Sequence, residues 1–329
     1  MQQPLFIFSL PRSGSTLLQR MLSQHRDVAT TSEPWLLLPL VTMTQESPNL
    51  ACYSHRLASL GIVDFVSKLP NGYTTFRQHL ADFARSLYAA QSTHGERYFL
   101  DKTPRYYWII DDIADIFPDS KFIFLFRDPL QVVASILSTW GNGRLRGIET
   151  YKLDIQYGIP SIAQASTKYP ERSLSIHYER LVADPHAHLE HICDFLDIPP
   201  DTSVVDRIDL AQIPGRFGDP TGARTYSKIT AASVDKWRDV LASPYRRWLI
   251  ARWLKPIPPE LRAAHNPLGT DPLNALRGLP LPRRSWAQAP RDLLDHARSV
   301  ARVQLVDHRL RCPSKPWEPS ILSTDPATA

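Results

Sequence analysis

A short hydrophobic run followed by a loop of glycine and hydroxyl residues constrains the fold of this chain more than any other feature. Residues 5–10 read LFIFSL, which predicts a buried strand, and a helical pattern extends from Gly14 to about Gln24. The loop between them, PRSGST at residues 11–16, contains one glycine and three hydroxyl residues. A strand that turns tightly into a helix leaves backbone N–H groups directed at whatever lies above the helix N-terminus. The pattern therefore predicts a site for a phosphate or a similar anion.

Apolar runs and helical patterns alternate through the first two thirds of the chain. Besides residues 5–10, short apolar runs predict strands at residues 28–31, 98–100, 121–126 and 173–177. Helical patterns are found at residues 74–91, from Pro104 to about Phe117, after the pair Asp128 and Pro129, and from Asp184 and Pro185 to Phe195. Such alternation is typical of a parallel sheet. The predicted fold class is α/β, a P-loop-like three-layer fold with a central parallel sheet flanked by helices.

The composition changes beyond about Pro199, where glycine, proline and arginine become more frequent. Helical patterns return at residues 245–253 and 290–306. We predict an α/β domain over residues 1–245, a helical extension over residues 246–311 that packs on or near this domain, and a disordered tail over residues 312–329.

Charge and cysteine content narrow the ligand class and the compartment. The 38 basic and 33 acidic residues give a net charge of +5, an excess too small and dispersed to indicate a nucleic-acid partner, although it suits a small polyanion. Cys52, Cys193 and Cys312 lack metal-ligand spacing and predict neither a disulfide framework nor a metal site. The sequence shows no secretory leader and no run of about 18 apolar residues, so we predict a cytoplasmic protein without a transmembrane segment.

The loop at residues 11–16 differs from that of a nucleotide kinase at one position. A P-loop kinase has lysine directly after its glycine, where the ammonium and a magnesium ion act on the transferring phosphoryl group. Here that position is Ser15, and the nearest cation is Arg12. The difference disfavours an ordinary kinase or nucleotide hydrolase, whereas the prediction of a bound anion stays. The alternative is that the loop only packs a strand against a helix.

A second anion-binding pattern follows the strand predicted at residues 121–126. Arg127 ends this strand directly before a predicted helix N-terminus, and Ser135 lies eight residues further along. A guanidinium group offers a forked pair of donors to a phosphate, and the serine adds a hydroxyl. The alternative is an arginine that pairs with the neighbouring Asp128.

Together, these two segments resemble the sulfotransferase superfamily. Residues 11–16 match its 5′-phosphosulfate loop, and residues 122–129, FIFLFRDP, match its 3′-phosphate segment together with Ser135. The pattern is most similar to tyrosylprotein, carbohydrate-type and bacterial sulfotransferases. The resemblance implies transfer of a sulfuryl group from the co-substrate 3′-phosphoadenosine 5′-phosphosulfate (PAPS) to a hydroxyl, or less often an amine, of an acceptor, and it implies no metal.

The resemblance assigns donor binding to residues in four segments. Arg12, Ser13, Gly14, Ser15 and Thr16 would hold the 5′-phosphate, Arg127 and Ser135 the 3′-phosphate, Tyr178 would contact the nucleotide, and Ser227 and Lys228 would reach the phosphates. The alternative for Tyr178 is a half-buried aromatic side chain without a role in binding.

Sulfuryl transfer needs positive charge at the leaving phosphate and a base for the acceptor hydroxyl. Arg12 and Lys102, the latter after the third predicted strand, are the candidate charge stabilisers. The histidine that cytosolic small-molecule sulfotransferases place shortly after this lysine is absent, because Thr103 and Pro104 follow it. Glu33, after the second predicted strand, resembles the glutamate base of tyrosylprotein and several carbohydrate enzymes. The alternative for Lys102 is a solvated charge at a strand end, and the alternative for Glu33 is a loop carboxylate paired with a neighbouring arginine.

The glutamate pattern favours a carbohydrate or a peptide tyrosine as the acceptor. Trp35, Trp140 and Tyr106 are candidates to stack against a sugar or an aryl ring, with a place in the core as the alternative. Two other functions stay open: a P-loop nucleotide kinase with an altered loop, and a module that binds 3′-phosphoadenosine 5′-phosphate without turnover. Magnesium-dependent ATP turnover would identify the first, and nucleotide binding with no sulfated product would identify the second.

Overall fold

A computed structural model describes residues 2–43, 55–92, 94–206, 213, 229 and 234–310 of the 329-residue chain. These residues contain a sheet of five parallel strands in the order β2-β3-β1-β4-β5. The strands are β1 (Gln3–Ser9), β2 (Val28–Thr30), β3 (Tyr98–Asp101), β4 (Lys121–Phe126) and β5 (Ser173–His177).

The register of the sheet brings all the carboxyl ends of the strands to one edge. Leu5 of β1 lies opposite Leu100 of β3 and Lys121 of β4. The chain passes from β1 to β2 on one side and then crosses β1 on its way from β3 to β4. Open parallel sheets bind ligands outside the carboxyl ends of their strands, at a point where the strand order reverses in this way. The topology therefore places the expected site beside the end of β1.

Helices cover both faces of the sheet. The helices of the described residues are α1 (Ser15–Leu22), α2 (Leu37–Thr42), α3 (His55–Ser67), α4 (Tyr73–Gln91), α5 (Ile110–Ile116), α6 (Pro129–Thr139), α7 (Lys152–Gln156), α8 (Gly158–Lys168), α9 (Tyr178–Ala183), α10 (Pro185–Leu196), α11 (Ser203–Asp206), α12 (Trp237–Val240), α13 (Pro244–Leu254), α14 (Pro259–Ala263), α15 (Pro272–Gly278), α16 (Arg283–Trp286) and α17 (Ala289–Leu310). Short 3₁₀ helices lie at Pro104–Trp108, Ile148–Tyr151 and Pro170–Arg172. Within the described residues, no helix is both long enough and apolar enough to span a lipid bilayer.

Alternate side chains of the central strands enter two separate hydrophobic clusters. Phe6 and Phe8 of β1 point into one cluster, together with residues of α4, α5, α6, α8 and α13. Leu5 and Ile7 point into the other, together with residues of α1, α9, α10 and α11. Successive side chains of a strand face opposite sides of a sheet, so a strand covered on both faces is apolar throughout. The predicted three-layer α/β fold with a central parallel sheet is confirmed.

Up to residue 196, most predicted strands and helices agree with the observed ones to within two residues at each end. The predicted helix from Pro104 to Phe117 is wrong as a single element, because a break at Ile109, with φ −132° and ψ 27°, separates a 3₁₀ helix from α5. The hydroxyl groups of Tyr106 and Tyr107 bond to two buried carboxylates, one on β3 and one on α7. These tertiary bonds fix adjacent side chains to different elements and override the local helical pattern.

Ion pairs with two buried carboxylates join the C-terminal helices to one another and to the loop after α6. Nε of Arg246 in α13 donates to Oδ2 of Asp292 in α17 at 2.9 Å, and Nε of Arg144 donates to Oδ2 of Asp295 at 2.8 Å. Both carboxylates are fully buried, where an unpaired charge would be strongly unfavourable. The division of the chain at residue 245 stays a prediction, and the predicted tail lies outside the described residues.

The ring of Phe126, the last residue of β4, packs against two imidazole rings. His177 stacks on it with ring centroids 5.4 Å apart, and His265 meets it edge-on at 4.9 Å. His265 follows α14, is fully buried, and has its Nε2 atom 3.0 Å from the carbonyl oxygen of Ile159. Burial lowers the pKa of His265 to about 4. The imidazole is therefore neutral in the folded protein at neutral pH.

We expect the His265→Gln variant to lose less stability in acid than the wild type. Below pH 6.5 the unfolded chain binds a proton at this histidine, whereas the folded chain binds it only near pH 4. The wild-type free energy of unfolding should therefore fall by about 3 kcal/mol as the pH decreases through this window. Glutamine removes the titration and can still donate a hydrogen bond to Ile159.

Urea midpoints measured near neutral pH and near the lower end of this window test the expectation. The exposed His191→Gln variant controls for the loss of a histidine elsewhere. If the wild type and His265→Gln lost the same amount of stability in acid, His265 would be protonated in the folded chain at that pH.

Candidate active site

The predicted site residues within the described part of the chain lie at or just beyond the ends of the five strands. The segments, in their order along the sheet edge, are residues 31–36 after β2, 102–103 after β3, 10–14 after β1, 127–128 after β4 and Tyr178 after β5. Ser135 lies in the second turn of α6. Residues distant in the sequence therefore converge on one edge of the sheet.

The loop between β1 and α1 turns back on itself through two residues with left-handed backbone geometry. Arg12 has φ 69° and Gly14 has φ 91°. The turn leaves the first amides of α1, at Ser15 and Thr16, with no carbonyl of their own helix to bind. The hydroxyl of Ser13 is buried and has no hydrogen-bond partner within the described residues. An anion at this position would satisfy these donors, so the loop fits the predicted phosphate site.

Tyr178 packs tightly between the phosphate loop and Arg127. A Cβ atom placed on Gly14 would lie 2.3 Å from Cδ2 of Tyr178, so only glycine fits at this position. The Arg127 guanidinium lies 4.2 Å from the centroid of the same ring, within the range of a cation–π contact. Tyr178 is buried, not half-buried. Its ring therefore connects the two predicted phosphate segments.

We expect the Gly14→Ala variant to lose about 2–4 kcal/mol of stability, because the left-handed backbone is strained for alanine and the new methyl group overlaps the Tyr178 ring. Urea denaturation measures the loss. The matched control is Gly95→Ala, where φ is 76° but no atom lies within 4 Å of the added Cβ. The control should lose only about 1 kcal/mol from backbone strain. Equal losses in the two variants would contradict the close contact between Gly14 and Tyr178.

Arg12 and Arg127 lie side by side. Nη1 of Arg127 donates to the carbonyl oxygen of Arg12 at 2.7 Å, and its Nε donates to Oε1 of Gln131 at 3.3 Å. The Arg12 side chain extends to α6, where Nε donates to the Ser135 hydroxyl at 3.3 Å and Nη2 to the Thr139 hydroxyl at 3.1 Å. Arg12 was predicted at the 5′-phosphate and Ser135 at the 3′-phosphate. The structure brings both residues into one cluster with Arg127.

A partly buried hydrogen-bond network fixes the backbone directly after Arg127. Oδ1 of Asp128 accepts a hydrogen bond from the Leu130 amide at 2.7 Å, which confirms the predicted cap of α6, and Oδ2 accepts one from Asn266 at 2.6 Å. The Asp128 amide donates to Oε1 of Glu179 at 3.0 Å. Burial raises the pKa of both carboxyl groups. The network holds the end of β4 at the point where Arg127 leaves the sheet.

Glu33 and Lys102 form an ion pair at the ends of β2 and β3. Nζ of Lys102 donates to Oε1 of Glu33 at 2.7 Å and lies 3.5 Å from the hydroxyl of Thr16 in the phosphate loop. The side chain of Lys102 is 1% exposed and that of Glu33 is 13% exposed. Lys102 is therefore not a solvated surface charge. A buried ammonium beside both a carboxylate and a phosphate loop interacts with each of them more strongly than it would in water.

The remaining predictions have mixed outcomes. Tyr106 is fully buried and belongs to the core, so of the two roles left open for it the place in the core is observed and acceptor stacking is not. Trp140 is 41% exposed, and the Arg12 guanidinium lies 5.4 Å from the centroid of its ring. Ser227 and Lys228 lie outside the described residues.

Sequence reasoning missed several side chains that hold the site. Thr139 lies four residues after Ser135 in α6, so helical spacing could have indicated it, and Gln131 lies in the first turn of the same helix, next to Arg127. Asn266 donates to Asp128, which lies 138 residues before it in the chain. No local sequence pattern indicates such a contact.

A family model described as the sulfotransferase family matches residues 4–202. The chain belongs to the sulfotransferase family. This sulfotransferase is similar to nodulation protein NoeE of Sinorhizobium fredii (strain NBRC 101917 / NGR234), with 27% identity over 260 residues that cover 72% of this chain and 60% of that protein. It is also similar to protein-tyrosine sulfotransferase 1 of Danio rerio, with 25% identity over 263 residues that cover 78% of this chain and 67% of the relative. The chain thus spans about three fifths to two thirds of the length of these relatives.

Two solved structures share the fold of this sulfotransferase. The sulfotransferase domain from the curacin biosynthetic pathway is 26% identical, with a TM-score of 0.51 over 78% of this chain and 98% of the domain. The sulfotransferase domain from the Synechococcus PCC 7002 olefin synthase is 27% identical, with a TM-score of 0.50 over 72% of this chain and 88% of the domain. The predicted superfamily is confirmed.

Proposed function

We propose that the chain transfers a sulfuryl group from PAPS to a hydroxyl group, with a carbohydrate or a peptide tyrosine as the acceptor. Membership of the sulfotransferase family supports sulfuryl transfer in general. The observation that carries the proposal is the contact of Lys102 with both Thr16 of the phosphate loop and Glu33. It supports the proposal because a cation in this position would lie between the leaving phosphate and the base.

The donor would lie along the edge of the sheet, with its two ends in the two phosphate segments. Its 5′-phosphate would be bound by the loop residues Arg12, Ser13, Gly14, Ser15 and Thr16, and its 3′-phosphate by Arg127 and Ser135, with Tyr178 beside the nucleotide. The buried Ser13 hydroxyl, which has no partner among the described residues, supports an anion in the loop. Ser227 and Lys228 stay proposed contacts to the phosphates.

When bound, PAPS would supply the sulfuryl group, which is bonded to the 5′-phosphate that acts as the leaving group. Glu33 would accept the proton of the acceptor hydroxyl while the acceptor oxygen bonds to sulfur and the bond from sulfur to the 5′-phosphate oxygen breaks. Before the reaction, the Glu33 carboxylate holds Lys102 in the ion pair. Once Glu33 is protonated, it attracts the ammonium less strongly. The charge of Lys102 then becomes available to the leaving phosphate, where negative charge grows, and Arg12 adds positive charge at the same edge.

Two observations support the acceptor class. One relative is a protein-tyrosine sulfotransferase, whose name describes transfer to a tyrosine hydroxyl. Trp140 is the exposed part of an aromatic cluster in which Tyr151 stacks on its ring at 4.8 Å and the Arg12 guanidinium lies 5.4 Å from its centroid, and an exposed aromatic edge suits contact with a sugar ring or a phenol ring. A cytoplasmic location, the absence of a nucleic-acid partner and the absence of a metal stay predictions from the sequence.

A transfer assay with PAPS labelled in its sulfate tests the proposal. The acceptor panel consists of tyrosine peptides, oligosaccharides and simple phenols, each assayed with and without magnesium ions. We expect label to enter a peptide or an oligosaccharide without added magnesium. Magnesium-dependent turnover of ATP would instead support the altered nucleotide kinase. Binding of 3′-phosphoadenosine 5′-phosphate with no labelled product from any acceptor would support the non-catalytic module.

A further inference from the structure

Asp101, the last residue of β3, is fully buried and accepts hydrogen bonds from three hydroxyl groups. Thr103 donates to Oδ1 at 3.2 Å, while Tyr88 and Tyr106 donate to Oδ2 at 2.8 and 3.1 Å. Burial raises the pKa of Asp101 to about 6, although these hydrogen bonds and the charge of Lys102 oppose the shift. Above that pH the carboxylate is ionised and only accepts hydrogen bonds, so the three hydroxyl hydrogens must point towards it.

Two of these hydroxyl groups also accept hydrogen bonds from the segment that carries Glu33. The Leu37 amide donates to the Tyr106 oxygen at 3.1 Å, and the Trp35 amide donates to the Thr103 oxygen at 3.3 Å. Because both hydrogens are directed to Asp101, the oxygen lone pairs are left to face these amides. The carboxylate therefore sets the orientation of two acceptors that hold the backbone just beyond Glu33.

The backbone held in this way brings a second donor to Glu33. Trp35 has φ 54°, a left-handed conformation that is uncommon for a residue other than glycine. In this conformation its indole Nε1 donates to Oε2 of Glu33 at 3.3 Å, while Lys102 binds Oε1 at 2.7 Å. Both oxygens of the carboxylate are thereby held. Asp101 and Lys102 are consecutive residues that act on the same loop. Asp101 acts on the loop backbone through Thr103 and Tyr106, and Lys102 binds the Glu33 side chain.

We propose that Asp101 is a positioning residue that acts through Thr103 and Tyr106 to fix the loop carrying Glu33 against the end of β3. The importance of this position for transfer rests on the proposed function, in which Glu33 is the base. The hydrogen-bond network itself forms without PAPS and without an acceptor molecule. A small displacement of a reacting group can lower a rate by about a hundredfold, so a loosened loop should reduce kcat and leave donor affinity unchanged.

Conservative variants of the three hydroxyl residues test the proposal without placing an unpaired charge in the core. Tyr106→Phe and Thr103→Val each remove one acceptor of a loop amide. Tyr88→Phe is the matched control, because Tyr88 also donates to Oδ2 of Asp101 from a buried position, yet within the described residues no hydrogen bond joins it to the loop. Thr103→Ser keeps the hydroxyl and should restore the wild-type behaviour that Thr103→Val loses.

Amide hydrogen exchange over residues 33–37 and kcat in the transfer assay are the two measurements. We expect Tyr106→Phe and Thr103→Val to exchange about tenfold faster in this segment and to lose about tenfold or more in kcat, with unchanged affinity for 3′-phosphoadenosine 5′-phosphate. Tyr88→Phe and Thr103→Ser should match the wild type in both measurements.

Equal exchange rates in Tyr106→Phe and Tyr88→Phe would overturn the positioning role. Wild-type protein that binds no adenosine nucleotide would overturn the proposed function alone, because the exchange measurement decides the network without any ligand.

Discussion

The Glu33→Gln variant is expected to lose about 10²–10⁴-fold in kcat, the range typical for removal of a general base. Its affinity for 3′-phosphoadenosine 5′-phosphate should stay close to that of the wild type, because Glu33 lies at the end of β2, away from the predicted 3′-phosphate segment on β4 and α6. The glutamine oxygen can still accept the hydrogen bond from Lys102, so the buried ammonium keeps a partner. The change therefore removes the base, keeps the bond from Lys102 and gives up only the longer bond from the Trp35 indole to Oε2.

The transfer assay and a calorimetric titration together measure this effect. Glu171→Gln is the matched control, because Glu171 is exposed and precedes β5 at the opposite edge of the sheet. The control should retain full activity and affinity. Full transfer activity in Glu33→Gln would rule out Glu33 as the base and leave it as a structural partner of Lys102.

The Arg127→Ala variant is expected to bind 3′-phosphoadenosine 5′-phosphate about 10²–10³-fold more weakly. A guanidinium group makes charge-assisted hydrogen bonds to a phosphate, each of which contributes about 1.5–3 kcal/mol. Arg127 also holds the carbonyl oxygen of Arg12 and packs on Tyr178, so its loss should loosen the phosphate loop as well. Calorimetric titration gives the dissociation constant of each variant.

Arg172→Ala provides a control that separates donor binding from stability. Arg172 lies 4.6 Å from the centroid of the Phe122 ring and donates to three backbone carbonyl groups, so like Arg127 it packs on an aromatic ring and holds backbone oxygens, although it is less buried. It precedes β5, however, and therefore lies at the opposite edge of the sheet. Both variants should lose stability, and only Arg127→Ala should lose affinity. Unchanged affinity in Arg127→Ala would show that the 3′-phosphate does not bind at the end of β4.

Much of the fold could be predicted because its decisive signals are local. The run at residues 121–126 is apolar at nearly every position, and a strand covered on both faces requires that pattern. Asp128 and Pro129 start α6 through a cap and a preset backbone angle, both properties of those residues themselves. The parallel order then brings Glu33 and Lys102 to one edge, although the sequence alone does not show that they bond to each other.

The features that escaped prediction depend on contacts between different elements of the fold. The break at Ile109 follows from hydroxyl groups that bond to carboxylates on other elements, and local propensity does not include such bonds. Arg12 reaches Ser135 and Thr139 only because α6 begins beside the phosphate loop. The contact of Asn266 with Asp128 likewise exists only in the folded chain.

Calorimetric titration of the wild type with three nucleotides tests most directly whether two anion sites at one edge of the sheet hold the two ends of one adenosine nucleotide. The nucleotides are 3′-phosphoadenosine 5′-phosphate, adenosine 5′-phosphate, which lacks the 3′-phosphate, and ATP with magnesium ions. We predict that the first binds about a hundredfold more tightly than either of the others, because only it can contact both the phosphate loop and the cluster of Arg127 and Ser135. Equal affinity for the first two nucleotides, or tighter binding of ATP, would contradict the two-site arrangement.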